Sequence, residues 1–436
     1  MKAPAYSSRT KTCEMIMERS SSGKGLRLVI CSPGVPHEAR GASAVLFFHY
    51  INGLKRAGFE ILNILLLQSG EYTEASLSEY VARMAEPGKV EIKPCRAARF
   101  DAPRCFSLKL NSAVLAEVVG QAEKFEAHAV LGFDLLSVRV AEQITGGAKL
   151  AWLGDLNFQT FWYHAWYAAK ENPLHVLNLP IVWFRSLLWK KIYKDALQRM
   201  DLVIVSSKSS EDHLAQLGIP SLYLPYPWPN EAAPKETAQT QHYLTPSFLF
   251  YGTLTGLGSR SALHFMIRRL YPRLLSLWGS NGFQVFIAGA RNLPDWVRDE
   301  LSRKPEFKYL GFVNDLDSLM SSCHAVICPM DVPVGNRSRI VTAMAKRAVV
   351  IAHPHTALGN PDLVHENTCY LPATIDGFVE YMKKAFERPR EIEVITSNAQ
   401  RCYETRFRPD VAVDMMVEQV LFVLQPAVTP VTGIPS

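Results

Sequence analysis

Strand-like and helix-like segments alternate through almost the whole chain, and the alternation runs twice. "LRLVICSPG" is a short β-rich apolar run ending in Pro-Gly, "ASAVLFFHYINGLKRAG" has helical spacing with a glycine stop, and "FEILNILLL" is a second strand. The series continues with a helix near 76–85, strand "KVEIK", a helix near 110–125, strand "HAVLGFD" and a helix near 137–145. Strand "AKLAWLGD", a long helical region and strands "DLVIVSS" and "SLYLPYP" complete the first half. Residues 228–246, rich in Pro, Thr, Gln and charge, then break the pattern and read as a linker. Beyond them it restarts with strand "FLFYGTL", a helix over 261–278, strand "FQVFIAG", a helix near 294–303, strand "FKYLGFV" and strand "HAVICPM". A helix beginning near Arg337, strand "AVVIAH" and helices over 375–388, 391–405 and 410–424 close it. Strands separated by helices pair in parallel under two helical layers, so the expectation is an α/β chain of two Rossmann-like domains facing a central cleft.

The expected boundaries are a tail at 1–24, a first domain at 25–227, the linker at 228–246, a second domain at 247–408, a C-terminal helix at 409–424 and a loose tail at 425–436. At 436 residues there is enough chain for two cores. In open parallel sheets, ligands sit beyond the carboxyl ends of the strands. That rule gathers the loops at 32–41, 154–160, 252–260, 289–293, 331–339 and 353–361 around one cleft.

Composition narrows the function. A net charge of +6 without a dense basic patch argues against a nucleic-acid partner. The eight cysteines have no metal-ligand spacing, and several lie in apolar runs, which reads as buried reduced thiols. No segment has the apolar core of a signal peptide or the length of a membrane-spanning helix, so a cytoplasmic chain is expected.

Among the cleft loops, "GNRSRIVTAMAKRAVVIAHP" at 335–354 sets Arg337 and Arg339 at a helix start. A helix N-terminus attracts phosphate, and guanidinium forks suit its oxygens. The other reading, solvated surface arginines, is equally open on these residues alone. Asp155 in "LAWLGDLNF" follows a strand on the cleft side, either as a carboxylate serving a reaction or as a turn former in "GDLN". Gly41 in "SPGVPHEARGAS" lets backbone approach a ligand, and Arg40 beside it is suited to phosphate.

From about residue 26 to 424 the chain resembles the group 1 glycosyltransferases, which are retaining enzymes of the GT-B fold, diffusely in the first half ("GLKRAGFEI", "DLVIVSSKSSEDHLAQLGIPSLYLPYP") and more specifically in the second. The resemblance lies in "FLFYGTLTGLGSRSALHFM" and in "CPMDVPVGNRSRIVTAMAKRAVVIAH", where Pro329, Gly335, Arg339, Ala343, Met344 and Ala345 match the family pattern. It implies a nucleotide diphosphate sugar as donor, a carbohydrate or lipid-linked glycan as acceptor, and no metal or covalent cofactor. It also implies Arg339 on the donor diphosphate, Gly252 and Thr253 beside the donor, Arg260 as a further phosphate contact, and Asp155 near the reacting sugar. Thr342 stands where the family has the glutamate that holds the ribose, and Val334 where its other motif glutamate falls. Two rivals follow: a binding or scaffold protein that has lost turnover, and a nucleotide-sugar epimerase on the same plan.

Residues 161–194 hold four of the eight tryptophans together with Arg185, Lys190, Lys191 and Lys194. Aromatics beside cations suit an anionic membrane surface, with Trp183 and Trp189 inserting. The alternative is an aromatic helix pair packed on the first sheet.

Overall fold

The computed structural model describes residues 23–425 apart from 39–40, 69, 71, 86–89, 97–109, 231–242, 290–292 and 389. Arg40, residues 1–22, most of the linker and the tail after 425 fall outside them.

Two parallel sheets form as expected. The first has seven strands in the order β3-β2-β1-β4-β5-β6-β7, and the second has five in the order β10-β9-β8-β11-β12. In the first sheet, β1 (Arg27–Pro33) lies between β2 (Glu60–Leu66) and β4 (Ala129–Phe133), while β3 (Val90–Cys95) forms one edge. On the other side follow β5 (Ala148–Leu153), β6 (Leu202–Val205) and the short β7 (Leu222–Tyr223). In the second, β8 (Ser247–Gly252) is flanked by β9 (Gln284–Gly289) and β11 (Ala325–Cys328), with β10 (Phe307–Gly311) and β12 (Val350–Ala352) at the edges. The strand order reverses beside β1 and again beside β8. Crevices open at such reversals because successive crossovers leave to opposite faces.

Helices cover both faces, which is why β4 and β11 are buried at every residue and read as unbroken apolar runs. Under the carboxyl ends of β4 and β5, Phe47 stacks on Phe133 at 4.7 Å, Trp152 meets both edge-on, and its indole donates to the Tyr50 hydroxyl. This aromatic floor fixes the strand ends from which cleft residues project.

Three details differ from expectation. The helix at 261–278 begins at Leu257 and carries a π-turn over Met266–Leu270. Pro272, the second residue after that turn, has no N–H to donate, so the ladder loosens there. Short helices at Lys208–Gln216 and His355–Gly359 join the expected elements. The helix Pro409–Leu424, for which the sequence names no partner, packs back on the first domain against Ala42–Arg56.

Candidate functional site

The strand ends at the two reversals face each other across a cavity of about 540 Å³, within the ordinary range for small-molecule sites. Pro33 at the end of β1, Asp134 after β4 and Asp155 after β5 supply one wall. Gly258, Met330 and residues 334–339 supply the other.

Arg337 and Arg339 are not surface arginines. Arg337 is 3% exposed, and one of its guanidinium nitrogens donates to the Val332 carbonyl while Nε has no partner among the described residues. The Arg339 guanidinium lies 5.2 Å from the Phe250 ring centre and donates to Ser259 Oγ at 2.9 Å; its Nη1 is buried without an acceptor. Burial lowers both from the ordinary arginine value, Arg337 to about 10, so both stay charged at neutral pH. Two buried cations with unpaired donors are costly until an acceptor arrives. Arg337 is also the residue preceding the helix Ser338–Ala345, which has no side-chain cap, so the positive end of that helix adds to the same field.

Asp155 faces this field. Its side chain opens to the cleft and makes no hydrogen bond with another described residue, which leaves the turn-forming role without support. Crowding by both domains raises its carboxyl above the usual range, and nearby Arg337 pulls it back. Gly335, at φ +97°, stands where the two halves come close. A Cβ on it would sit 3.3 Å from Asp155 Oδ2 and 3.5 Å from Arg337 Nη1. The glycine matched to the family pattern therefore shapes the approach of Asp155 to Arg337.

Other expected site residues stand elsewhere. Arg260 is not open to an anion: Glu171 of the first domain grips it, with Nε to Oε1 at 3.1 Å and a second contact from Nη2. The Thr342 hydroxyl is already partnered, accepting from Trp228 Nε1 at 2.8 Å and donating to the Ser338 carbonyl at 3.0 Å. Gly252, at φ +124°, makes room for Arg339, since a Cβ there would lie 2.8 Å from Nη2. Thr253 is exposed, and its carbonyl accepts from Ser259 Oγ at 2.6 Å, which steadies the serine that holds Arg339. Gly41 precedes the helix Ala42–Arg56 at φ +77°. Val334 is buried in the cleft wall. Residues 161–194 form a helical hairpin, Asn157–Glu171 and Leu179–Leu197 joined by a 3-10 turn. Trp189, expected to insert in lipid, is 6% exposed and packs in the first domain's core because its face of the helix also carries Ile192 and Tyr193.

Residues 245–388 match the family model described as glycosyl transferases group 1. Over the whole chain the structure is similar to a glycosyltransferase from Rickettsia africae, at 13% identity and a TM-score of 0.64, covering 92% of this chain and 99% of that one. The fold is GT-B. Comparable likenesses are to HepE from Anabaena, solved with UDP and glucose, and to sucrose-phosphate synthase from Thermosynechococcus elongatus. Each is 14% identical, with TM-scores of 0.61 and 0.60, covering 91% and 92% of this chain and 99% and 100% of theirs. Comparison with curated protein sequences gave no match.

Within this GT-B cleft, sequence reading passed over Asp134. Its Oδ1 accepts from the Gly154 N–H at 3.1 Å, which anchors the loop carrying Asp155, and it adopts a left-handed φ of +60°. Burial first, then the nearby Asp155 charge, raises its carboxyl to about 6, against the pull of the Gly154 hydrogen bond. The signal was present: an acid directly after a wholly apolar strand. His164, one turn beyond Thr160 in the cleft-lining helix, had no such signal.

Proposed function

We propose that the chain is a glycosyltransferase that moves a sugar from a nucleotide diphosphate sugar to a carbohydrate or lipid-linked glycan acceptor, with retention of configuration. The observation that carries this is the pair of guanidinium groups, Arg337 and Arg339, buried at the mouth of a helix with donors that no group among the described residues satisfies. A diphosphate supplies the missing acceptors, and the same charges stabilise it as it leaves. The group 1 match over residues 245–388 contains both arginines. Asp155, across from Arg337, would orient the acceptor hydroxyl or steady positive charge developing on the sugar ring. The reading uses no metal and no covalent cofactor.

Calorimetric titration with UDP tests the donor site. Arg339→Ala removes a charge-assisted contact of about 1.5–3 kcal/mol and is expected to weaken binding tenfold or more. Equal affinity in parent and variant rules out this placement of the diphosphate. Thr342, already engaged by Trp228, favours a second reading, a GT-B protein that binds donor without turnover. Release of free nucleoside diphosphate from a panel of sugar nucleotides separates the two.

A further inference from the structure

The hairpin Asn157–Leu197 ends in a tip that the rest of the fold leaves uncovered. Every residue from Asn172 to Asn178 is exposed, and Leu174 and Leu177 show 72% and 77% of their surface. In a 3-10 turn, residues three apart share a ridge, so Leu174 and Leu177 form one ridge and Val176 starts the next. Ile181, Trp183 and Phe184 extend the apolar surface into the following helix, each more than half exposed. A tip that is apolar on more than one side suits a medium that surrounds it better than a flat protein face.

The charges around it point the same way. Lys170, Arg185, Lys190 and Lys194 make no ion pair among the described residues, and the first three lie against rings of Trp166 or Tyr167, Phe161 and Phe158. The single acid within 161–194, Glu171, is held by Arg260 and His264. Lys191 is neutralised by Asp195. The exposed field is therefore positive. We propose that the hairpin tip docks on an anionic bilayer surface, with Leu174, Leu177 and Trp183 inserting and the free cations meeting lipid phosphates. No helix among the described residues is long and apolar enough to cross a membrane, so docking is shallow and reversible.

The position of the tip gives docking a use. Asn157, Thr160 and His164 of the same helix line the cleft, and its 15 residues span about 22 Å, so the tip lies about one helix length from Asp155. A lipid-anchored acceptor would be delivered along that helix. This last step rests on the transferase reading; docking itself does not, and it is measured without turnover.

Sedimentation of the full chain with phosphatidylcholine vesicles, with and without phosphatidylglycerol, tests the docking. Binding is expected to rise with anionic lipid and fall as salt is raised. The double change Leu174→Glu with Leu177→Glu, at exposed positions that the fold does not need, is expected to reduce binding by tenfold or more. Phe422→Glu, an equally exposed apolar residue on the C-terminal helix, is expected to leave it unchanged. The proposal is overturned if the parent stays in the supernatant with anionic vesicles at low salt, or if the tip and Phe422 variants behave alike. It is overturned equally if sedimentation velocity shows the parent as a dimer and the tip variant as a monomer, since the tip would then serve a second copy of the chain.

Discussion

At the scale of single residues, Asp134 makes a demand on the fold that a single substitution can relieve. Its carboxyl is raised to about 6 from an ordinary 3.8, chiefly by burial. The native state therefore holds a proton more tightly than the unfolded chain between about pH 4 and pH 6, and stability falls as pH rises through that window. Asn in its place keeps an oxygen for the Gly154 N–H, tolerates the left-handed φ and never ionises. Asp134→Asn is accordingly expected to raise stability at pH 7.5 by on the order of 2 kcal/mol, with the gain gone near pH 4. Calorimetric melting at both values checks it; an equal gain at each would trace the effect to backbone conformation rather than charge. Arg337 shows why such residues were only half legible. The helix start and the phosphate-suited side chain were readable in "GNRSRIV", but that the side chain turns inward depends on Val332, Asp155 and Tyr226, which are distant or loop-bound.

At the scale of elements, the strands were legible because both sheets are buried on both faces and their apolar runs are continuous. The partner of each helix was not. Nothing in "PDVAVDMMVEQVLFVL" says that the last helix crosses back to the first domain, because an amphipathic face specifies burial and not the surface that provides it. The contact is close: a Cβ on Gly53 would lie 2.1 Å from Val413 Cγ1. Alanine normally favours a helix over glycine by about 1 kcal/mol. Here the sign should reverse, because overpacking at a contact this tight costs about 1–3 kcal/mol. Gly53→Ala is expected to lower the denaturant midpoint, and Val413→Ala in the same chain to restore part of the loss. A stabilised Gly53→Ala protein would mean that the two helices separate freely.

At the scale of the whole molecule, the cleft exists only while the two domains stay together; the C-terminal helix packs across them, and a few polar side chains join them at the cleft itself. Ser206 Oγ meets Asn336 Oδ1 at 2.7 Å, Ser209 Oγ donates to the Pro333 carbonyl at 2.9 Å, and Tyr167 donates its hydroxyl to Asp331. These contacts set the path of the loop that presents Arg337 and Arg339. Glu171 with Arg260 and His264 closes the far end of the same seam. The Arg260 that family resemblance assigned to phosphate thus acts on the cleft from outside it. Arg260 and Glu171 are each about one-fifth exposed, so solvent screens the pair incompletely. If this seam sets the closed arrangement, Glu171→Ala and Arg260→Ala remove the same interaction. Each single change should lower stability and enlarge the radius of gyration in small-angle scattering, and the double change should do little more than either. The coupling in a double-mutant cycle is expected at about 1–2 kcal/mol. UDP affinity should weaken in parallel, because opening the seam moves Asp155 away from Arg337 without touching either. Additive effects of the two changes, or unaltered UDP affinity in an expanded protein, would show that this seam does not set the closed arrangement.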